Sequence, residues 1–214
     1  MSVLTEISEA LQKGRAKQIK VLVPQALEEG LSAQEILNDG LLAGMNVIGE
    51  RFKNNEIFVP EVLVAARAMN VGAELLKPHL AEAGVEAKGK VCMGTVKGDL
   101  HDIGKNLVHM MFEGKGLEVV DLGVDVTPEA FVQAAIDNGC QIIACSALLT
   151  TTMPVMAEVV KAVEAAGLRD KVKIMVGGAP VTEQFCETIG ADAYTPDATT
   201  AAEKAVELLS ALGS

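Results

Sequence analysis

The spacing of apolar residues changes character once along this chain, between residues 83 and 90, and that change limits what the chain can fold into. Up to Ala83 the apolar residues recur at helical intervals only. Leu4, Ile7 and Leu11 make one stripe; Ile19, Leu22, Val23, Ala26 and Leu27 make a second, closed by Gly30 as a C-cap. Pro24 lies inside that second run, where it either kinks the helix or marks its first turn. Ser32 with Glu35 spells a capping box ahead of Ile36, Leu37, Leu41, Met45, Ile48 and Phe52. Pro60 suits the first turn of a fourth helix through Val62, Leu63, Ala66, Met69 and Ala73 toward Leu80. Four helices with short connections predict an antiparallel bundle over residues 1–83.

Residues 84–89 are small and polar and read as a linker. From Lys90 onward short strand-like runs alternate with helical ones. The strands are expected at 90–93, 117–121, 141–145 and 173–176, with a weaker one at 192–194. Helices are expected at 103–113, 128–138, 153–166, 182–189 and 198–212. Five βα units over residues 90–214 predict an α/β, flavodoxin-like (Rossmann-like) domain with a five-stranded parallel sheet covered on both faces. Right-handed crossovers favour the strand order 2-1-3-4-5, in which the loops after strands 1, 3 and 4 open onto one side.

The core must be aliphatic, because half of the 214 residues are hydrophobic while only 3% are aromatic and none is Trp. A net charge of −11 argues against nucleic acid and anionic membrane as partners. No apolar run approaches the ~18 residues of a membrane span. The first 14 residues are polar and amphipathic, unlike a signal peptide. Cys92, Cys140, Cys145 and Cys186 form no CxxC pair and read as small buried hydrophobes in a reducing, cytoplasmic setting.

The chemistry concentrates in the stretch from Gly94 to Asn106, where Asp99, His101 and Gly104 fall on the loop leaving strand 1. In open α/β sheets ligands sit at that edge. An Asp two residues before a His can accept a hydrogen bond from the ring nitrogen that a metal-bound His leaves free. Equally, Asp99 can cap the following helix, with His101 solvated. The loop after strand 3 runs Ser146-Ala-Leu-Leu-Thr-Thr-Thr-Met153, and that after strand 4 runs Gly177-Gly-Ala-Pro180. Hydroxyls can be caps and paired glycines a turn. Three such loops on one edge point instead to an extended polar group threaded into the sheet edge and a single metal–histidine bond. A zinc site is poorly served, since the only other histidines are His79 and His109, the latter about two turns along the same helix. Walker, GxGxxG and GxSxG patterns do not occur at strand 1 or elsewhere in the expected positions.

Gly98-Asp-Leu-His-Asp-Ile-Gly104, Ser146-x-Leu148 and Gly177-Gly178 together resemble the D-x-H-x-x-G … S-x-L … G-G signature of cobalamin-binding domains. The helical half resembles the cap that precedes this domain in methyl-transferring members, from Gly49-Glu-Arg-Phe52 through Phe58-Val-Pro-Glu-Val62 and Ala65 to Met69. The likeness covers nearly the whole chain. It is to the corrinoid proteins of microbial methyltransferase systems and to the cobalamin module of methionine synthase.

The resemblance implies a cobalamin or related corrinoid bound base-off, with His101 as the cobalt's lower axial ligand and Asp99 on its other ring nitrogen. Thr152 stands where methionine synthase has a Ser completing the relay; the hydroxyl is kept on a β-branched side chain. Gly94, Thr95, Gly98, Asp102, Ile103, Gly104 and Leu148 are implied as further cofactor contacts. Ser146, Thr150, Gly177 and Gly178 are implied to line the slot for the displaced nucleotide tail. Phe52, Val59 and Val62 match residues packed over the methyl-bearing face, although periodicity alone reads them as bundle core. The implied function is a methyl carrier, not an enzyme complete in itself. Its partners would be a substrate:corrinoid methyltransferase, a second methyltransferase with a pterin or thiol acceptor, and a reductive activase. A cobalamin-dependent sensor or the cobalamin subunit of a mutase are the alternatives. The acidic charge and the absence of a DNA-binding segment weigh against the sensor. The four-helix cap weighs against the mutase.

Overall fold

The computed structural model describes residues 2–83 and 87–212. The chain divides into two compact units, residues 1–86 with 114–116 and residues 87–113 with 117–214. Of the expected linker, residues 84–86 lie outside the described residues.

The first unit holds α1 (Val3–Gln12), α2 (Ala16–Glu28), α3 (Ala33–Glu35), α4 (Ala43–Lys53) and α5 (Val59–Glu82). The expected capping box starts α3: Glu35 N–H donates to Ser32 Oγ, and Ser32 N–H to the Glu35 carboxylate. Between α3 and α4 the chain winds as a π-helix over Ile36–Leu42, so the third helix of the bundle is continuous but not uniformly α. Pro24 and Pro78 both lie inside their helices. α1 packs on α2, on the π segment and on α4, and α2 packs along α5. The buried stripe of α5 runs Val62, Ala65, Ala66, Met69, Gly72 and Leu76; Leu63, expected on it, is exposed. Small residues permit this close approach: a Cβ on Gly72 would stand 2.7 Å from the Leu41 methyls. No helix among the described residues is long and apolar enough to cross a membrane.

The second unit is built on five parallel strands, β1 (Lys90–Thr95), β2 (Glu118–Asp121), β3 (Ile142–Ser146), β4 (Lys173–Gly177) and β5 (Ala193–Tyr194), in the order 2-1-3-4-5. They alternate with α6 (Ile103–Gly114), α7 (Pro128–Asn138), α8 (Met153–Ala165) and α9 (Glu183–Ile189), and α10 (Ala198–Leu212) follows β5. Cys92, Ile143, Cys145, Ile174 and Val176 pack into one cluster with Phe131 of α7, Met156 and Val159 of α8 and Cys186 of α9. The intervening Val91, Met93, Ile142, Ala144 and Met175 are buried as well, so both faces of the sheet are covered. All four cysteines are buried free thiols; burial pushes the Cys186 thiol up to about 11 and that of Cys145 higher.

The register sets up the functional edge. Thr95 pairs with Ser146, and Ser146 with Gly177, which brings the last residues of β1, β3 and β4 into one row. One residue back, Gly94 lets α7 settle on the sheet: a Cβ there would lie 2.9 Å from Val126 and 3.1 Å from the Phe131 ring. Gly94→Ala should lower stability by about 1–3 kcal/mol through overpacking, measured as a lower urea midpoint in the corrinoid-free protein.

Candidate functional site

Asp99 is fully buried, and two loops meet on its side chain. Oδ1 accepts from the His101 backbone N–H at 3.1 Å and faces His101 Nδ1 at 2.7 Å. Oδ2 accepts from the backbone N–H groups of Leu148 and Leu149, at 2.8 and 3.2 Å, and from the Thr152 hydroxyl at 2.8 Å. Thr152 Oγ also lies 2.9 Å from the Leu149 carbonyl, but a hydroxyl has one proton and the carboxylate is the stronger acceptor. Burial opposes ionisation of Asp99, and these hydrogen bonds outweigh it, holding its carboxyl well below the usual range. The helix-cap alternative does not hold, because none of these bonds goes to α6.

An ionised carboxylate can only accept, so the 2.7 Å contact places the ring hydrogen on Nδ1 and leaves the Nε2 lone pair free. The His101 side chain is 51% exposed, and Nε2 has no partner among the described residues. Apolar side chains on the two loops that meet at Asp99 and at the start of α6 stand in water: Leu100, Ile103, Leu148 and Leu149 are all exposed. Patches of this kind mark binding surfaces.

Two glycines are fixed by backbone geometry. Gly98 has φ +83 at the turn that delivers Asp99, and Gly178 has φ +129, where a Cβ would run into the Ala147 carbonyl. Gly104 and Gly177 face open space: a Cβ at Gly177 would meet nothing closer than 3.8 Å, and one at Gly104 nothing within 4 Å. Asp102 and Thr150 are exposed and Ser146 is half-buried, all on the same edge.

Three expected contacts sit behind the surface rather than on it. Gly94 is filled in by Val126 and Phe131, and Thr95, also buried, turns its hydroxyl to the His101 carbonyl at 2.7 Å. In the helical unit Val62 is fully buried in the bundle stripe, whereas Phe52 and Val59 keep part of their surface.

Sequence reasoning missed the loop after β2. Asp125 accepts from Gly98 N–H at 2.7 Å, and the buried Lys105 of α6 pairs with Asp121 at 2.6 Å. His109 lies between Glu113 and Asp121, 3.5 Å from each. The signal was present: two acids and a glycine at the carboxyl end of a strand in the same sheet. Among the described residues no group of three or more His, Cys, Asp or Glu is placed to hold a metal ion. The residues fit a ligand that brings its own metal and asks for one imidazole.

This fold and edge define a two-part cobalamin-binding module. Residues 89–206 match the B12 binding domain family, and residues 3–77 match a second B12 binding domain family. A corrinoid protein of Desulfitobacterium hafniense is 40% identical over 98% of both chains. Trimethylamine corrinoid protein 1 of Methanosarcina acetivorans is 45% identical over 84% of both. The fold superposes with a TM-score of 0.88 on a chain of the methanol:cobalamin methyltransferase complex of Methanosarcina barkeri, at 29% identity, covering 97% of this chain and 80% of that one. The chain belongs to the corrinoid proteins of microbial methyltransferase systems, which carry the methyl group and are not complete enzymes alone.

Removing the Asp99 carboxylate strands the donors it gathers. Asp99→Ala should lower stability by about 3 kcal/mol, read by urea unfolding without corrinoid. His109 gives a pH signature. The hydrogen bond and charge of Glu113 raise its pKa, against burial, with Asp121 adding and Lys105 opposing. The stabilisation is therefore complete below the unfolded value of about 6.5 and lost as pH rises through the folded one. The stability gap between wild type and His109→Gln should close on that rise, and the ring's NMR titration should place the midpoint above 6.5.

Proposed function

We propose that this protein binds a cobalamin or related corrinoid base-off, with His101 Nε2 as the lower axial ligand of cobalt. It carries a methyl group from a substrate:corrinoid methyltransferase to a second methyltransferase that passes it to a pterin or a thiol. The observation that carries this reading is the 2.7 Å Asp99–His101 bond, which fixes the tautomer with Nε2 outward. When bound, the corrinoid supplies a cobalt centre able to accept and release a methyl group.

The protein's own residues do the rest. Asp99 orients the ring and balances its charge should Nε2 take a proton on leaving the metal. Thr152 and the Leu148 and Leu149 amides hold the other carboxylate oxygen, so the pair does not drift. Ser146, Thr150, Gly177 and Gly178 form the slot for the displaced tail, and Gly98, Asp102, Ile103, Gly104 and Leu148 are further contacts to the cofactor. Phe52 and Val59, with the buried Val62 behind them in the bundle, shield the methyl group from water and oxidants. A reductive activase is the third partner, restoring cofactor lost to oxidation. The relatives named for trimethylamine and dimethylamine, and the methanol complex, make methylated amines and methanol the donor classes to test.

His101→Ala should retain corrinoid through the tail slot while losing the absorption spectrum of the histidine-ligated form; an unchanged spectrum overturns the axial assignment. Phe52→Ala should leave binding intact and speed oxidation of the reduced cofactor. Equal oxidation rates would remove Phe52 from the shield.

A further inference from the structure

We propose that Thr95 and Asp125 are positioning residues for His101, setting through the backbone how firmly the imidazole is offered to the metal. The inference rests on the axial-ligand role given to His101 above. Asp99 orients the ring and accepts from the His101 N–H at 3.1 Å, yet where the two residues stand together is a separate matter. That is decided by the loop from Val96 to His101, whose own backbone closure is the single Asp99 N–H to Val96 carbonyl bond at 3.1 Å.

The remaining support comes from outside the loop. Beneath it, the buried Thr95 hydroxyl donates to the His101 carbonyl at 2.7 Å. Beside it runs the loop after β2, joined to it and to the end of β1 by four hydrogen bonds. Thr95 N–H donates to the Gly123 carbonyl at 2.9 Å, and Val126 N–H to the Thr95 carbonyl at 3.0 Å. Asp125 N–H donates to the Asp99 carbonyl at 3.1 Å, and Gly98 N–H to the Asp125 carboxylate at 2.7 Å. Asp125 has φ +57, a conformation unfavourable for a non-glycine residue, and both its N–H and its carboxylate are spent on the histidine loop. The strap is anchored at its base, where Asp121 accepts from Gly123 N–H at 2.9 Å and from the buried Lys105.

A merely structural role would shift melting and leave ligation alone; a positioning role shifts ligation. The test reconstitutes the full chain, grown with 15N-histidine, with hydroxocobalamin, reduces it to cob(II)alamin, and measures at one fixed pH the share of the paramagnetic resonance signal split into a doublet by the histidine nitrogen, as distinct from the triplet of the cofactor's own base. Thr95→Val and Asp125→Gly should each lower the ratio of ligated to unligated metal about five-fold, the effect of one net hydrogen bond. Amide exchange at Gly98 and Asp99 in corrinoid-free protein should quicken in parallel. Thr95→Ser keeps the donor, and Asp125→Asn keeps an acceptor and tolerates the left-handed backbone, so both should restore wild-type ratios. Asp125 is exposed and glycine suits its backbone, so that variant carries the test even where Thr95→Val fails to fold. Unchanged ratios in the variants, with nitrogen splitting lost in His101→Ala, overturn the positioning role alone. Splitting that survives His101→Ala overturns the axial role and the inference with it.

Discussion

A carboxylate with no contact to water is unstable unless its charge is met, and Asp99 is met by donors from two loops that are some fifty residues apart in sequence. One oxygen belongs to His101 and the other to the loop after β3. The same side chain therefore chooses the histidine tautomer and ties the end of β1 to the end of β3. Taking it away does not delete one bond; it leaves backbone N–H groups buried and unpaired on both sides. This is why the edge is built around a carboxylate that is itself out of reach of any ligand.

The sheet makes that convergence inexpensive. Parallel strands in register end in one row, so Thr95, Ser146 and Gly177 arrive side by side without long excursions of the chain. The loop after β4 approaches so closely that only glycine fits at 178, against the Ala147 carbonyl. The hydrogen bonds thus gather behind the imidazole, while Leu100, Ile103, Leu148 and Leu149 on the same loops and the start of α6 stay exposed.

The sheet order, the helical first half and the pairing of Asp99 with His101 are all legible from spacing, because period and motif position are local properties of a sequence. The hydroxyl at 152 is legible only through family likeness, and the structure brings it to 2.8 Å from Asp99. What escapes is non-local or conformational. The π segment over Ile36–Leu42 follows from packing rather than from any change of apolar period. Gly94 is implied as a cofactor contact by family likeness, but the space beside its Cα is taken by Val126 and Phe131 from the neighbouring layer. Thr95 reads as a cofactor contact, yet its place at the buried end of a central strand turns it inward. Asp125 depends on a left-handed φ and on a bond to a residue 27 positions away, neither of which composition or spacing encodes.

The axial role proposed for His101 asks for a ligand that can be held and also let go, and the division of labour here suits it. The ring reaches outward by a single nitrogen, so letting go requires no change in the bonds made by Nδ1. Everything that fixes that ring lies on its far side: the Asp99 carboxylate, the Thr95 hydroxyl at the His101 carbonyl, and the strap after β2. Those bonds are the same whether or not Nε2 is engaged, so they act only by holding the loop ready for ligation. They remove the conformational entropy that a loose loop would lose each time it ligated.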